Sequence, residues 1–183
     1  MANIENIRNV AFCGHGSAGK TTLVDQLLVK TGAVSANPSV DDGTSICDFD
    51  PEEKSHQYSI EASVVHLEHA GVRLNIIDTP GYPDFIGQAI GSLSGVDTAA
   101  VVINAQSGIE VNTRRVFDIA NMGGLGKFII INKMDGENID FPAVVSSIQE
   151  LWGNRCVLLN VPVGHGADFS GIVSTLRVPE DVD

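Results

Sequence analysis

Positive charge is scarce in this chain. Eleven lysines and arginines stand against 23 aspartates and glutamates, a formal net charge of −12 over 183 residues. A broad cationic face for nucleic acid is thereby excluded within this stretch, because such a face is built from clustered Lys and Arg. One small basic patch touching RNA is not. Cysteine is also sparse: Cys13, Cys47 and Cys156 are scattered and odd in number. That excludes a disulfide framework and points to a reducing cytosol. No apolar run approaches the roughly 20 residues of a membrane span. The opening MANIENIRNV lacks the apolar core of a signal peptide. The expectation is a soluble, cytoplasmic chain with no membrane partner.

What is present is a regular alternation. The residues are 43% hydrophobic and 19% charged, with 19 glycines, which suits one compact α/β domain. IRNVAFCG (7–14) reads as a strand, and a helix follows from Lys20 to about Thr31, where Gly32 can cap it. Residues 58–69 and 72–78 are β-rich runs joined by Ala70-Gly71, an antiparallel hairpin. A helix over 83–94, a buried strand over 98–105 and a helix over 111–122 come next, the last stopped by Gly123-Gly124. A buried strand over 127–133 and a helix over 141–152 with Pro142 near its start complete the series. The pattern predicts a mostly parallel sheet with helices on both faces. Residues 33–57 are polar, carry two prolines and lack an apolar period, so they read as a long loop, functional or mobile. The tail after Val163 shows no long periodic element.

GHGSAGKT, residues 14–21, lies between the first strand and the first helix. Gly14-x-Gly16-x-x-Gly19 alone fits a dinucleotide turn, whereas Gly14-x4-Gly19-Lys20-Thr21 fits a P-loop. Lys20 and Thr21 decide between them, because a nucleoside triphosphate needs both. Lysine offsets charge on the β- and γ-phosphates, and the hydroxyl ligates Mg²⁺. The loop residues His15, Ser17 and Ala18, with Thr22 just beyond, complete the candidate phosphate site. In IIDTPGYPDF (76–85), Asp78 ends a strand and can hold the magnesium ion, usually through water. Gly81 lets backbone approach the γ-phosphate. Asn132-Lys133-Met134-Asp135 follows another strand. Asp135 can accept two hydrogen bonds from guanine that adenine does not offer, a discrimination on the order of 10⁴-fold. The Lys133 stem can cover the base, and the Asn132 amide can tie the base loop to the P-loop. The set points to GTP and disfavours an ATP-using kinase. His66 and His69 are spaced i, i+3, which puts them on opposite faces of a strand, so they read as a solvated edge. Asp50-Pro-Glu-Glu-Lys reads as a solvated loop, and Cys13 as a small apolar residue behind the P-loop.

With these residues in place, the chain from about Ile7 to Val173 resembles the GTPase domain of translational GTPases of the elongation factor G kind. Asp84-Phe85, Asn104-Ala105 with Gly108-Ile109-Glu110, and Val163-Gly164 before Asp168-Phe169 have counterparts in that family. Cys47-Asp48-Phe49 with Glu53 resembles the segment called switch I, which continues to a threonine-isoleucine pair, here Ser59-Ile60. The resemblance implies a Ras-like P-loop fold, GTP and GDP as ligands, and Ser59 as a second hydroxyl on Mg²⁺. It also implies Lys20, Gly81 and the residue after it as the catalytic group, and a ribosome with its RNA, not DNA, as partner of a monomeric factor.

Three departures stand out. Tyr82 replaces the usual histidine, Ser17 replaces a common aspartate, and His56-Gln57-Tyr58-Ser59-Ile60 replaces Arg-Gly-Ile-Thr-Ile. They mark a divergent paralogue, and they raise an alternative: a GTP-binding switch with little hydrolysis. The family's Ser-Ala guanine motif has no counterpart after Asp135, since Ser146-Ser147 falls inside a helix. The expected organisation is a G domain over 1–163 and the start of an inserted subdomain over 164–183. The rest of a larger factor, including the last strand and helix of the fold, would lie outside this chain.

Overall fold

The computed structural model describes residues 4–35 and 37–176. The chain divides into two compact units. One runs to Ile103 and resumes over Glu110–Ile130, and the other joins Asn104–Ile109 to the chain from Ile131 onward.

The first unit is organised by a five-stranded sheet in the order β2-β3-β1-β4-β5. β1 (Ile7–Gly14) lies at its centre, parallel to β3 (Val72–Asp78) on one side and to β4 (Thr98–Asn104) on the other. β2 (Ser63–His69) runs antiparallel to β3, as the Ala70-Gly71 hairpin requires. Ala70 at φ 50 and Gly71 at φ 76 supply the two left-handed residues of such a turn. Side chains alternate across β1. Val10 and Phe12 join Val24 and Leu28 of α1 (Lys20–Lys30), Ile76, Ala100 and Val102 in one buried cluster. Ala11 and Cys13, both fully buried, turn to the opposite face, where α3 (Ile86–Leu93) and α4 (Val111–Met122) pack on β1. This is the mostly parallel, helix-flanked sheet that the alternation predicts.

Three expectations need correction. Residues 33–57 are not all loop: α2 spans Pro51–His56. Asp50 and Glu53 form a reciprocal capping box around Pro51 at the first helical position, so caps rather than an apolar period start this helix. The strand expected from residue 58 begins only at Ser63. The N–H groups of Ile60 and Glu61 are given to the Glu53 carboxylate and that of Tyr58 to the Glu53 carbonyl, so they cannot join a ladder. β5 (Gly126–Asn132) is not buried. It closes the order of the sheet, and Gly126–Phe128 are exposed. An apolar run by itself does not distinguish an edge strand from a central one.

The second unit contains α5 (Phe141–Trp152) and a hairpin of β6 (Asn160–Val163) with β7 (Gly171–Ser174). Ala105, Met134 and Ile139 form its small core with Ile131, Phe141 and Phe169 packed against them. Four-residue strands carry too little alternation to be read from sequence, which is why the tail looked featureless. Its last residues, 177–183, lie outside the described residues. Among the described residues no helix is long and apolar enough to cross a membrane.

Candidate functional site

The P-loop joins the buried end of β1 to the first turn of α1. Ser17 at φ 59 and Gly19 at φ 89 turn the chain through left-handed conformations. Gly19 is the N-cap and brings no side-chain hydrogen bond, which leaves the first-turn N–H groups to an anion. Ala18 is buried in the core, whereas Ser17 and Thr22 face solvent. Lys20 is only 6% exposed, and its Nζ donates to the His15 carbonyl at 2.9 Å. Burial pushes its ammonium pKa down, and the Asp78 carboxylate pulls it back up. His15 Nε2 lies 3.4 Å from the Glu110 carboxylate.

Next to the lysine in sequence, Thr21 is linked to three further oxygen-bearing side chains, Asp78, Ser59 and Asp48. Thr21 Oγ1 donates to Asp78 Oδ2 at 2.6 Å, and Ser59 Oγ lies 3.1 Å from the same threonine oxygen. Ser59 Oγ also donates to Asp48 Oδ1 at 2.7 Å. Asp78 is fully buried, and its Oδ1 has no hydrogen-bond partner. Burial pushes this carboxyl up to about 7, against the Thr21 hydroxyl and the Lys20 ammonium. A carboxylate with one oxygen orphaned and the other on the Thr21 hydroxyl, itself 3.1 Å from the Ser59 hydroxyl, fits a hard divalent cation, which would also hold the carboxyl ionised. Among the described residues no three His, Cys, Asp or Glu side chains are grouped to hold a metal.

Gly81 seals the loop from above. A Cβ there would meet the Gly16 nitrogen and the His15 carbonyl carbon at 2.6 Å, as well as Lys20 Nζ. Only glycine lets this backbone come so close. Asn112 Nδ2 donates to the Gly81 carbonyl at 2.7 Å from a position 1% exposed. Sequence reading missed Asn112. The available signal was a polar side chain in phase with Val116 and Ala120 on the buried stripe of α4. The Tyr82 ring lies over Gly16, within 3.2 Å of where a Cβ would stand, and tilts against Tyr58 with centroids 4.8 Å apart. Phe85 extends this cluster at 6.3 Å from Tyr58.

In the second unit the Asn132–Asp135 turn leaves β5 through a left-handed Lys133 at φ 60. The Asn132 carbonyl accepts from Ala105 N–H at 2.9 Å, and Gly136 N–H closes on the Lys133 carbonyl at 3.2 Å. Met134 anchors the turn in the small core, while Lys133 and Asp135 point to solvent. Ser146 and Ser147 lie within α5, where the Ser147 hydroxyl donates to the Val144 carbonyl.

Residues 5–175 match the family described as the elongation factor Tu GTP binding domain. "Elongation factor G 2" of Streptomyces coelicolor is 35% identical over 175 residues, 96% of this chain and 26% of that protein. "Ribosome-releasing factor 2, mitochondrial" of Bos taurus is 34% identical over 174 residues, 95% of this chain and 22% of that protein. A crystal structure of a protein from Thermus thermophilus superposes with a TM-score of 0.87 at 34% identity, covering 92% of this chain and 25% of that one. The chain thus spans about a quarter of the length of the relatives it matches. It belongs to the elongation factor Tu GTP-binding domain family, as a G domain of the elongation factor G-like kind.

Proposed function

We propose that this G domain binds GTP with Mg²⁺ and hydrolyses it to GDP and phosphate, within a cytoplasmic elongation factor G-like protein that acts on the ribosome and contacts its RNA. The observation that carries the reading is the 2.6 Å bond from Thr21 Oγ1 to a buried Asp78 whose other oxygen is orphaned, directly behind the P-loop lysine. Thr21, Ser59 and Asp78 would hold the cation, which supplies charge neutralisation on the β- and γ-phosphates. Lys20 would leave the His15 carbonyl for those phosphates. Gly81, held through its carbonyl by Asn112, would offer its N–H to the γ-phosphate. Attack by water breaks the bond between the bridging oxygen and the γ-phosphorus, and GDP leaves with that oxygen. Tyr82 covers the loop where the attacking water must enter. A neutral phenol donates and accepts hydrogen bonds but is a poor base, so Tyr82 orients the water rather than deprotonating it. Asn132, Lys133 and Asp135 would read guanine.

Residues 164–183 would begin the family's inserted subdomain, and domains beyond them would set the step of translation served. The deciding experiment is single-turnover GTP hydrolysis by the complete factor with and without ribosomes. Stimulated release of phosphate supports the reading. Tight GTP binding with no turnover in either arm refutes hydrolysis and leaves only a nucleotide switch.

A further inference from the structure

We propose that Glu53 is a positioning residue for the GTP-bound state: its carboxylate fastens the two ends of the switch segment together and so sets the Ser59 hydroxyl beside Thr21. The inference rests on the GTP–Mg²⁺ reading above. Glu53 has no exposed surface. Its Oε2 accepts the N–H groups of Phe49 and Asp50, both at 3.0 Å. Its Oε1 accepts those of Ile60 and Glu61 at 2.9 and 3.0 Å. One oxygen therefore serves the chain entering α2, and the other serves the chain that has left it.

The residues flanking these contacts are the functional ones. Asp48 precedes Phe49, Ser59 precedes Ile60, and the two are joined by the 2.7 Å hydroxyl–carboxylate bond. The result is a short ladder whose last rung ends 3.1 Å from Thr21 Oγ1. A helix cap accounts for only part of it. A capping box needs the bond to Asp50 N–H alone. The bonds to Ile60 and Glu61 lie beyond α2 and do nothing for its first turn. Four backbone donors also explain why a carboxylate can be so fully buried here, since each bond offsets part of its lost hydration.

Glutamine at position 53 keeps one accepting oxygen but sets an NH₂ group against the other pair of N–H donors. The test uses the 183-residue chain. Calorimetry measures GDP and a non-hydrolysable GTP analogue, each with Mg²⁺, on wild type, Glu53→Gln, Ser59→Ala and the double variant. Glu53→Gln should weaken the GTP analogue by about tenfold or more, as lost bonds to a charged group do, and GDP by less than about twofold. The double variant should be no weaker than the worse single one, because both act through one hydroxyl. Equal losses for GDP and the analogue, or additive losses in the double variant, would overturn the proposal.

A second measurement stands if Glu53→Gln does not fold. In wild type, hydrogen exchange at Phe49, Asp50, Ile60 and Glu61 should slow as one unit when the analogue replaces GDP. Separate responses of the two pairs would also sink the idea. If wild type binds neither nucleotide, the functional reading fails instead, and joint or separate exchange of the two pairs in the free chain still decides whether the carboxylate fastens them.

Discussion

The P-loop region of this domain and its Asn132–Asp135 turn are built in opposite ways. Lys20, Asp78 and Gly81 are buried, Gly81 is pressed against the Gly16 and His15 backbone, and each of the three is bonded to a neighbour, with Asp78 Oδ1 left orphaned. Lys133 and Asp135 stand in solvent on a turn anchored from below by Met134. A side chain locked by its neighbours cannot be changed without disturbing them. An exposed one can be replaced at little structural cost, and then only its chemistry toward a ligand is lost. Mutations in the first region should therefore mix folding and function, whereas those in the second should separate them.

The largest effect expected on that contrast is at the exposed turn. Asp135→Asn should exchange guanine for xanthine preference by on the order of 10⁴-fold, with stability unchanged to within about 0.5 kcal/mol. Competition of GTP against XTP, with urea unfolding alongside, checks both halves. Persistent GTP preference would remove Asp135 from base recognition.

Gly81→Ala comes next. Its methyl group must displace the P-loop backbone, so the N–H proposed to serve the γ-phosphate moves and hydrolysis should fall about 10²–10³-fold. Single-turnover rates within about a factor of two of wild type would mean that the close approach is irrelevant to chemistry.

Tyr82→His should raise ribosome-stimulated turnover, because well-placed proton handling is worth about 10²-fold at the low end of its range. Tyr82→Phe tests the other side. If it collapses the rate while Tyr82→His gives no gain, the hydroxyl is itself catalytic.

The smallest effect belongs to Asn112→Ala. It frees the Gly81 carbonyl but leaves its atoms in place, at a cost of about 0.5–1.5 kcal/mol for one lost hydrogen bond. Hydrolysis should slow by about tenfold at most, while thermal unfolding reports the stability share. Unchanged kinetics would confine Asn112 to the fold.

Much of this was legible in the residues themselves. The P-loop, Asp78 and the Asn-Lys-x-Asp turn each sit at a strand end, as the motif positions predict. Strand and helix order followed from short apolar runs alternating with amphipathic ones. What stayed hidden depended on partners far along the chain. Glu53 looks like one more surface acid in Asp50-Pro-Glu-Glu-Lys until four amides from 49–50 and 60–61 surround it. Asn112 gains meaning only through a carbonyl 31 positions away. The capping box of α2 could have been read from Asp50 and Glu53 flanking a proline, since that signature is local.

The three cysteines, read at the outset only as too few for disulfides, lie at three depths of the structure. Cys156 is partly exposed, Cys47 is buried in the segment that leads into α2, and Cys13 is buried in the central strand. Burial pushes the Cys13 thiol up to about 12 and the Cys47 thiol well above its ordinary range, so neither reacts while covered. A thiol reagent applied to the unmodified chain should therefore label Cys156 first, Cys47 only as its segment opens, and Cys13 only on global unfolding. Following the three adducts by peptide mass would time these openings separately. A Cys47 rate that ignores the bound nucleotide would show that this segment does not respond to it. The native residues thus provide a graded set of reporters without introducing a single probe.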